Sequence, residues 1–535
     1  MRQFSARDYF EIGLRHHGNH ETRLALQAYF EAAKLEPKQP AIRANIGLVY
    51  AEIGKIEEAR AAYDQAAKLV PKSNAKYEFK KVLLQPTIFD SSSQILEERS
   101  RLTKGIHRLN RQNLRLTNPQ NEVGNPAFFL AYQGLNNREI QMDIANTLAK
   151  ACPLLRYKAS HHSQVNRKRI RVAFFSANFF DHTVGHVNLG LIKNLPRDQF
   201  EVILIRPGGH QDQVTQRITS AADSSMIVSN SFQDARLQIE QAELDILLFT
   251  DIGMEDLSYY LAFSRLAPVQ AALWGHPDTT GISSIDYYIS TSSFEPDDGQ
   301  KAYSERLIRL PRHYICFDPP RDPVRNIATE TFRASNSEKI YLCPQSLFKL
   351  HPDTDELFDC LLKTDRKGVI CLPLGPHDNW VERLRLRFAK SCPDTWERIR
   401  FIPRISSAQF RNALFSADAI IDPMHFTGGY TSYLGLSVGT PIVTMPGEYL
   451  PSRMTAGLYK QMGIDSLTAT DPTSYAEIAV RVANDLDWRR DRSDQIRDAG
   501  SSIFGDKESV QIFSECLRLI HESAQKGTLL PQGIF

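Results

Sequence analysis

None of the seven cysteines in this 535-residue chain falls in a CxxC spacing, and Cys152, Cys316, Cys343, Cys360, Cys371, Cys392 and Cys516 are scattered and odd in number. That pattern excludes a disulfide framework and a zinc knuckle, and it points to reduced thiols in a cytoplasmic protein. Charge of one sign is equally scarce: 64 Lys and Arg against 62 Asp and Glu leave a formal +2. No global field therefore recruits nucleic acid or an anionic membrane. Apolar runs such as Val269–Trp274 fall far short of the ~18 residues that cross a bilayer. The opening MRQFSARDYFEIGL carries charge in every turn and has no apolar signal core. Neither GxGxxG after a strand nor GxxxxGK[ST] occurs, which removes dehydrogenase and P-loop kinase readings. What remains, 42% hydrophobic and 24% charged, is an ordinary globular composition, long enough for two to four domains.

The first positive signal is a repeat. Two helical stretches end in KLEP and KLVP, placing Pro37 and Pro71 34 residues apart. The same offset links Ile12 with Ile46, Gly13 with Gly47, Ala25 with Ala59, Tyr29 with Tyr63 and Ala32 with Ala66. Small residues where helices cross, an aromatic filling the gap and a closing proline form the tetratricopeptide pattern. Tyr50 and Gly54 complete the second unit, while His16 takes the aromatic position of the first. Residues 1–73 are read as these repeats. Two units bury too little core alone, and the helical pattern over 74–166 is read as their continuation and linker.

From residue 167 onward, β-branched and aromatic runs alternate with helical segments: RIRVAFFS, FEVILIR, SSMIVS, LDILLFT, VQAALW and IDYYIS. After a Pro-rich crossing, ICFDPPRDPVRN, a second series runs through KIYLCPQ, GVICLPLG, IRFIPRI, DAIIDP and TPIVTMPG, with three amphipathic helices closing the chain. Such alternation predicts α/β architecture. Two Rossmann-like, doubly wound lobes, 167–314 and 339–535, are joined by a linker at 315–338 and preceded by an all-α domain. The cleft between them lies at the carboxyl ends of their strands.

Three strand–turn–helix junctions carry chemistry. In DPMHFTGGYTSYLG, Gly428 and Gly429 precede a helix starting near Thr431, with Ser432 adding a hydroxyl. This is either a cradle for a diphosphate or a turn that needs glycine for steric reasons alone. Glu448 and Arg453 in the next junction either contact ligand or pair internally. After the first strand, His182 and His186 stand four apart beside Asp181, a pair suited to proton transfer or phosphate binding and, without a third ligand nearby, not to a metal. In CPQSLFKLHPDTDELF, Lys349 precedes a helix and can balance phosphate charge. The Asp353–Asp355 pair is read as complementing the helix dipole. The His16–His17 and His161–His162 pairs are read as solvated surface.

Together these stretches, with APVQAALWGHPDTTGISSIDYYIS between them, resemble the O-GlcNAc transferase and SPINDLY glycosyltransferase family, in a bacterial form with no room for a long insertion between the lobes. The resemblance implies a GT-B architecture, a UDP-sugar co-substrate, inversion at the anomeric carbon, no metal and a protein acceptor presented by the repeats. It assigns Lys349 to the leaving diphosphate and His182 to the neighbourhood of sugar and acceptor. Gly428, Gly429, Tyr430, Thr431 and Ser432 are assigned to the diphosphate, Gln345 and Arg453 to the donor site, and His276, Pro277 and Thr279 to a loop lining the donor pocket. Phe410 stands where a histidine faces the uracil. Departures accompany it: Gly429–Tyr430 replaces a histidine–threonine pair, Leu434 an acidic residue that takes the ribose hydroxyls, Ser346 a glutamine, and Asp245 a histidine on a strand entering the cleft. The implied activity is transfer of GlcNAc to Ser/Thr hydroxyls. The alternatives are UDP-glucose or a GDP-sugar on the same machinery, or a decayed repeat-based interaction protein.

Overall fold

The computed structural model describes residues 4–126, 128–160, 168–320, 335, 337–531 and 533. The His161–His162 pair and residues 321–334 of the expected linker lie outside them. Four helices open the chain, Ala6–Gly18, Thr22–Leu35, Pro40–Glu52 and Ile56–Leu69, and their packing explains the 34-residue period. A side chain at Gly13 would strike the ring of Tyr29 at 2.5 Å, and one at Gly47 that of Tyr63 at 3.0 Å. Each glycine seats the tyrosine of the following helix. Ala25, Ala32, Ala59 and Ala66 are fully buried between the helices. Tyr29 packs with Ile42, Ile46 and Val49 in a cluster separate from the main core.

The next helices, Ala75–Leu83, Ser92–Arg111 and Arg138–Ala151, continue from the repeats, Tyr77 packing on Ala66 and Ala67 of the fourth helix and Lys81 pairing with its Asp64 at 2.7 Å. Their apolar faces join the core of the two lobes. Arg387 of the second lobe, buried in an ion pair with Asp355 at 2.9 Å, also donates to the Phe89 carbonyl at 2.9 Å. Between the last two of these helices a short turn, Phe128–Tyr132, reaches into the interlobe cleft.

The first lobe holds β1 (Ile170–Phe175), β2 (Phe200–Pro207), β3 (Ser224–Val228), β4 (Ile246–Phe249), β5 (Val269–Leu273), β6 (Tyr287–Thr291) and β7 (Arg306–Leu310). They form one parallel sheet in the order β3-β2-β1-β4-β5-β6-β7. The second lobe holds β8 (Lys339–Leu342), β9 (Gly368–Pro373), β10 (Ile399–Ile402), β11 (Ala419–Ile421) and β12 (Ile442–Val443), also parallel, in the order β10-β9-β8-β11-β12. Both sheets are doubly wound. Their strand order reverses between β1 and β4 and between β8 and β11, the crevices where such sheets take ligands.

Two expectations change. Asp245 does not enter the cleft: it immediately precedes β4, where its carboxylate accepts from the Arg171 N–H at 2.8 Å. A parallel strand delivers to the cleft only the residues at its carboxyl end, so Asp245 sits at the far end of the sheet. The last of the closing helices, Lys507–Gln525, crosses back to pack on β5 and the helix Thr183–Asn194 of the first lobe. The Leu530 N–H then donates to the Tyr287 hydroxyl at 2.7 Å.

Candidate active site

Strand β8 ends in a loop that closes on a helical turn, Leu347–Lys349. Lys349 donates to Gln345 Oε1 at 3.0 Å, and Gln345 Nε2 donates to Thr431 Oγ1 at 2.8 Å. These bonds tie the loop after β8 to the start of the helix Tyr430–Ser437 after β11. The ammonium also stands 4.4 Å from the centre of the Phe426 ring. Burial pushes the Lys349 pKa down to about 8, opposed by attraction to Asp422. Asp422 is itself buried, which raises its pKa, and its Oδ1 accepts from the Gly428 N–H at 3.0 Å. The N–H groups of Ser432 and Tyr433 turn back to the Gly429 carbonyl, which leaves those of Tyr430 and Thr431 at the helix mouth. An open helix start beside an ammonium has the chemistry to take an anion. The steric need for glycine holds at one of the two positions. A Cβ on Gly428 would meet Ser432 Oγ at 2.3 Å, whereas one on Gly429 would find nothing nearer than Met454 Sδ at 3.7 Å.

Beside this cradle a cavity of about 270 Å³ is lined by Gln345, Phe348, Trp380, Arg404 and Phe410, among others. Aromatic faces and one cation in a concave pocket suit a nucleobase. Across the cleft, β1 delivers His182 as the N-cap of the helix Thr183–Asn194, its Nδ1 accepting from the Val184 N–H at 3.3 Å. That bond assigns the proton of the neutral ring to Nε2. Burial, and secondarily His186, lower the His182 pKa. His186 pairs with Asp181 at 2.8 Å and lays its ring on Tyr430, 5.2 Å away and 6° from parallel. The two helix starts thus meet across the cleft.

His276 is buried and stacked on Phe128 at 5.4 Å, and burial lowers its pKa to about 4. Among the described residues neither of its nitrogens has a hydrogen-bond partner. Pro277 and Thr279 line a separate crevice with Asn137, Tyr303, His425 and Tyr449, where the helical region meets both lobes.

Several of the expected site groups spend their polar atoms within the chain. Thr279 Oγ1 donates to Glu305 at 2.6 Å, and Ser432 Oγ shares a hydrogen bond with Thr455 Oγ1 at 2.8 Å. Arg453 donates to the carbonyls of Phe294 at 2.9 Å and Gly447 at 3.0 Å. Leu434 is buried in its helix. The Asp353–Asp355 pair does more than complement a dipole, because Asp353 contacts His425 at 2.8 Å and Asp355 neutralises Arg387. What sequence reasoning missed is aromatic. The rings of Phe128, Phe129 and Tyr132 surround Phe348 at 5.7, 6.0 and 4.9 Å, and Tyr132 stacks on Phe426 at 4.5 Å. The signal was the aromatic-rich NPAFFLAYQG within an otherwise polar helical region.

Known proteins share this arrangement. The pattern of Glycosyl transferase family 41 matches residues 136–322 and 327–512. The SPINDLY protein of Petunia hybrida, described as a probable UDP-N-acetylglucosamine–peptide N-acetylglucosaminyltransferase, is 22% identical over 345 residues, 62% of this chain and 36% of that protein. The UDP-glucose:protein N-beta-glucosyltransferase of Actinobacillus pleuropneumoniae is 26% identical over 243 residues, 44% of this chain and 38% of that protein. The chain spans little more than a third of the length of these curated relatives. A mutant O-GlcNAc transferase from Thermobaculum terrenum superposes with a TM-score of 0.71 at 18% identity, covering 98% of each chain, and so shares the two-lobed GT-B arrangement behind a helical domain. With the family pattern running through both lobes, this chain belongs to glycosyl transferase family 41, the family of the O-GlcNAc transferases and SPINDLY.

Proposed function

We propose that the chain is an inverting glycosyltransferase that moves GlcNAc from UDP-GlcNAc to Ser/Thr hydroxyls of cytoplasmic protein acceptors presented by its repeats. The observation that carries this reading is the convergence of Lys349, Gln345 and Thr431 at the β8/β11 switch point. In the reaction the acceptor oxygen attacks C1 from the face opposite the diphosphate and releases its proton to solvent, and the electrons of the C1–O bond pass to the leaving group. The Lys349 charge and the N–H groups of Tyr430 and Thr431 meet that growing charge, favouring the transition state over the ground state. In this reading the lysine fills the role without a metal. Phe410 and Trp380 hold the base, while His182, its proton on Nε2, orients sugar or acceptor.

Removal of one such preorganised donor costs roughly 10²–10³ in turnover. Lys349→Met should lose at least that much with an unchanged circular dichroism spectrum, and full activity would reject the role. A screen of UDP-GlcNAc, UDP-glucose and GDP-fucose hydrolysis, with intact-mass analysis of co-expressed proteins, fixes the sugar. A gain of one hexosamine supports the proposal. A hexose gain moves it to a second reading, UDP-glucose as donor, which the similarity to the Actinobacillus protein favours.

A further inference from the structure

Among the described residues one group of three side chains is arranged to hold a metal ion: His351, Asp353 and His425. It is built from the two loops that form the cradle. His351 and Asp353 come just after Lys349, and His425 precedes Phe426. The ligand atoms all lie within 4.8 Å of one another, with His425 Nε2 2.8 Å and His351 Nδ1 3.4 Å from Asp353 Oδ2. Donors around a tetrahedral zinc ion, with bonds of about 2.0 Å, stand roughly 3.3 Å apart. Small ring rotations therefore close the set. The Asp353 N–H now donates to His351 Nδ1 at 3.1 Å, and the ion would replace that bond and the His425–Asp353 contact.

The surroundings are those of a held ligand set. The Gln133 backbone hydrogen-bonds the His351 ring, and the Ser92 hydroxyl hydrogen-bonds Asp353 Oδ1. Partners of this kind orient metal-binding histidines and carboxylates. His425 has a left-handed backbone, φ +67°, and Gly134, also at φ +67°, lies so near that a Cβ there would stand 2.5 Å from His425 Cγ. His425 lines the three-way crevice, which gives an ion a way in and a fourth position for water.

We propose that His351, Asp353 and His425 bind a divalent transition-metal ion, zinc by ligand chemistry. The ion clamps the Lys349 loop to the Phe426 loop and, through Ser92 and Gln133, both loops to the helical region. Its role is positioning, and it does not contact the diphosphate.

The full chain, stripped with a chelator, is titrated with Co²⁺ under visible absorption and with Zn²⁺ by calorimetry and thermal unfolding. One ion per chain, tetrahedral Co²⁺ bands and a zinc-dependent rise in Tm are expected. His425→Asn keeps a side chain that tolerates the left-handed backbone and should abolish the bands and the Tm shift. Ser92→Ala should weaken zinc binding roughly 10–100-fold while keeping the bands. No stoichiometric uptake by the unsubstituted chain, or equal uptake by His425→Asn, overturns the proposal and leaves a hydrogen-bonded clasp. If His425→Asn fails to fold, unchanged zinc affinity in Ser92→Ala overturns it instead.

Discussion

Lys349 has a pH window set by its burial. In the free protein its pKa of about 8 keeps the ammonium charged at neutrality and removes the charge above that point. The kcat/KM for donor should hold level near pH 7 and then fall toward tenfold per unit above about 8. A profile without that alkaline limb denies Lys349 its place at the diphosphate. Folding responds with the opposite sign. Between about 8 and the ordinary 10.5 the unfolded lysine binds a proton that the folded one has released, so this residue adds stability as pH rises through that window. The loop that each such residue occupies was readable from the sequence, because apolar runs mark the strands and the residues just past a strand's carboxyl end enter the cleft. The direction in which a polar atom points was not. Thr431 bonds Gln345 beside the ammonium, yet neighbouring Ser432 turns inward to Thr455, and spacing cannot separate two hydroxyls one residue apart on a helix start.

At the scale of elements, strands with continuous apolar runs were legible and β7 was not. Arg306 and Arg309 break its pattern, because an edge strand leaves those positions half exposed. The Phe128–Tyr132 turn announced itself only as an aromatic cluster: its partners Phe348 and Phe426 lie more than two hundred residues away, and the local sequence does not say which distant rings it meets. The helices Thr354–Thr364 and Asp378–Ser391 are joined by the Asp355–Arg387 pair, 5% and 2% exposed. Arg387→Ala leaves the Asp355 carboxylate buried without its countercharge and frees the Phe89 carbonyl. A loss of about 3–5 kcal/mol is expected, measured by urea unfolding. A change below about 1 kcal/mol, the ordinary value of a surface pair, would mean water reaches Asp355.

Among the described residues there is one large core spanning the helical continuation and both lobes, a small one in the repeats, and a third cluster of Ala66, Ala67 and Tyr77 where the two regions meet. Tyr29→Ala empties the centre of the small cluster at a cost of about 3–5 kcal/mol. Amide exchange should quicken across the first two helices while β1 stays protected, and UDP affinity should be unchanged. Loss of UDP binding, or faster exchange in β1 as well, would show that the two cores unfold as one. Between the lobes the chain crosses twice, out through Phe317 and back through Phe504. The two crossings are joined by a β-bridge and by the Gly505 N–H bonded to the Phe317 carbonyl at 3.0 Å. The outward and returning segments are thus fastened to each other, so a pull on the linker is carried straight to the segment that leads into the last helix.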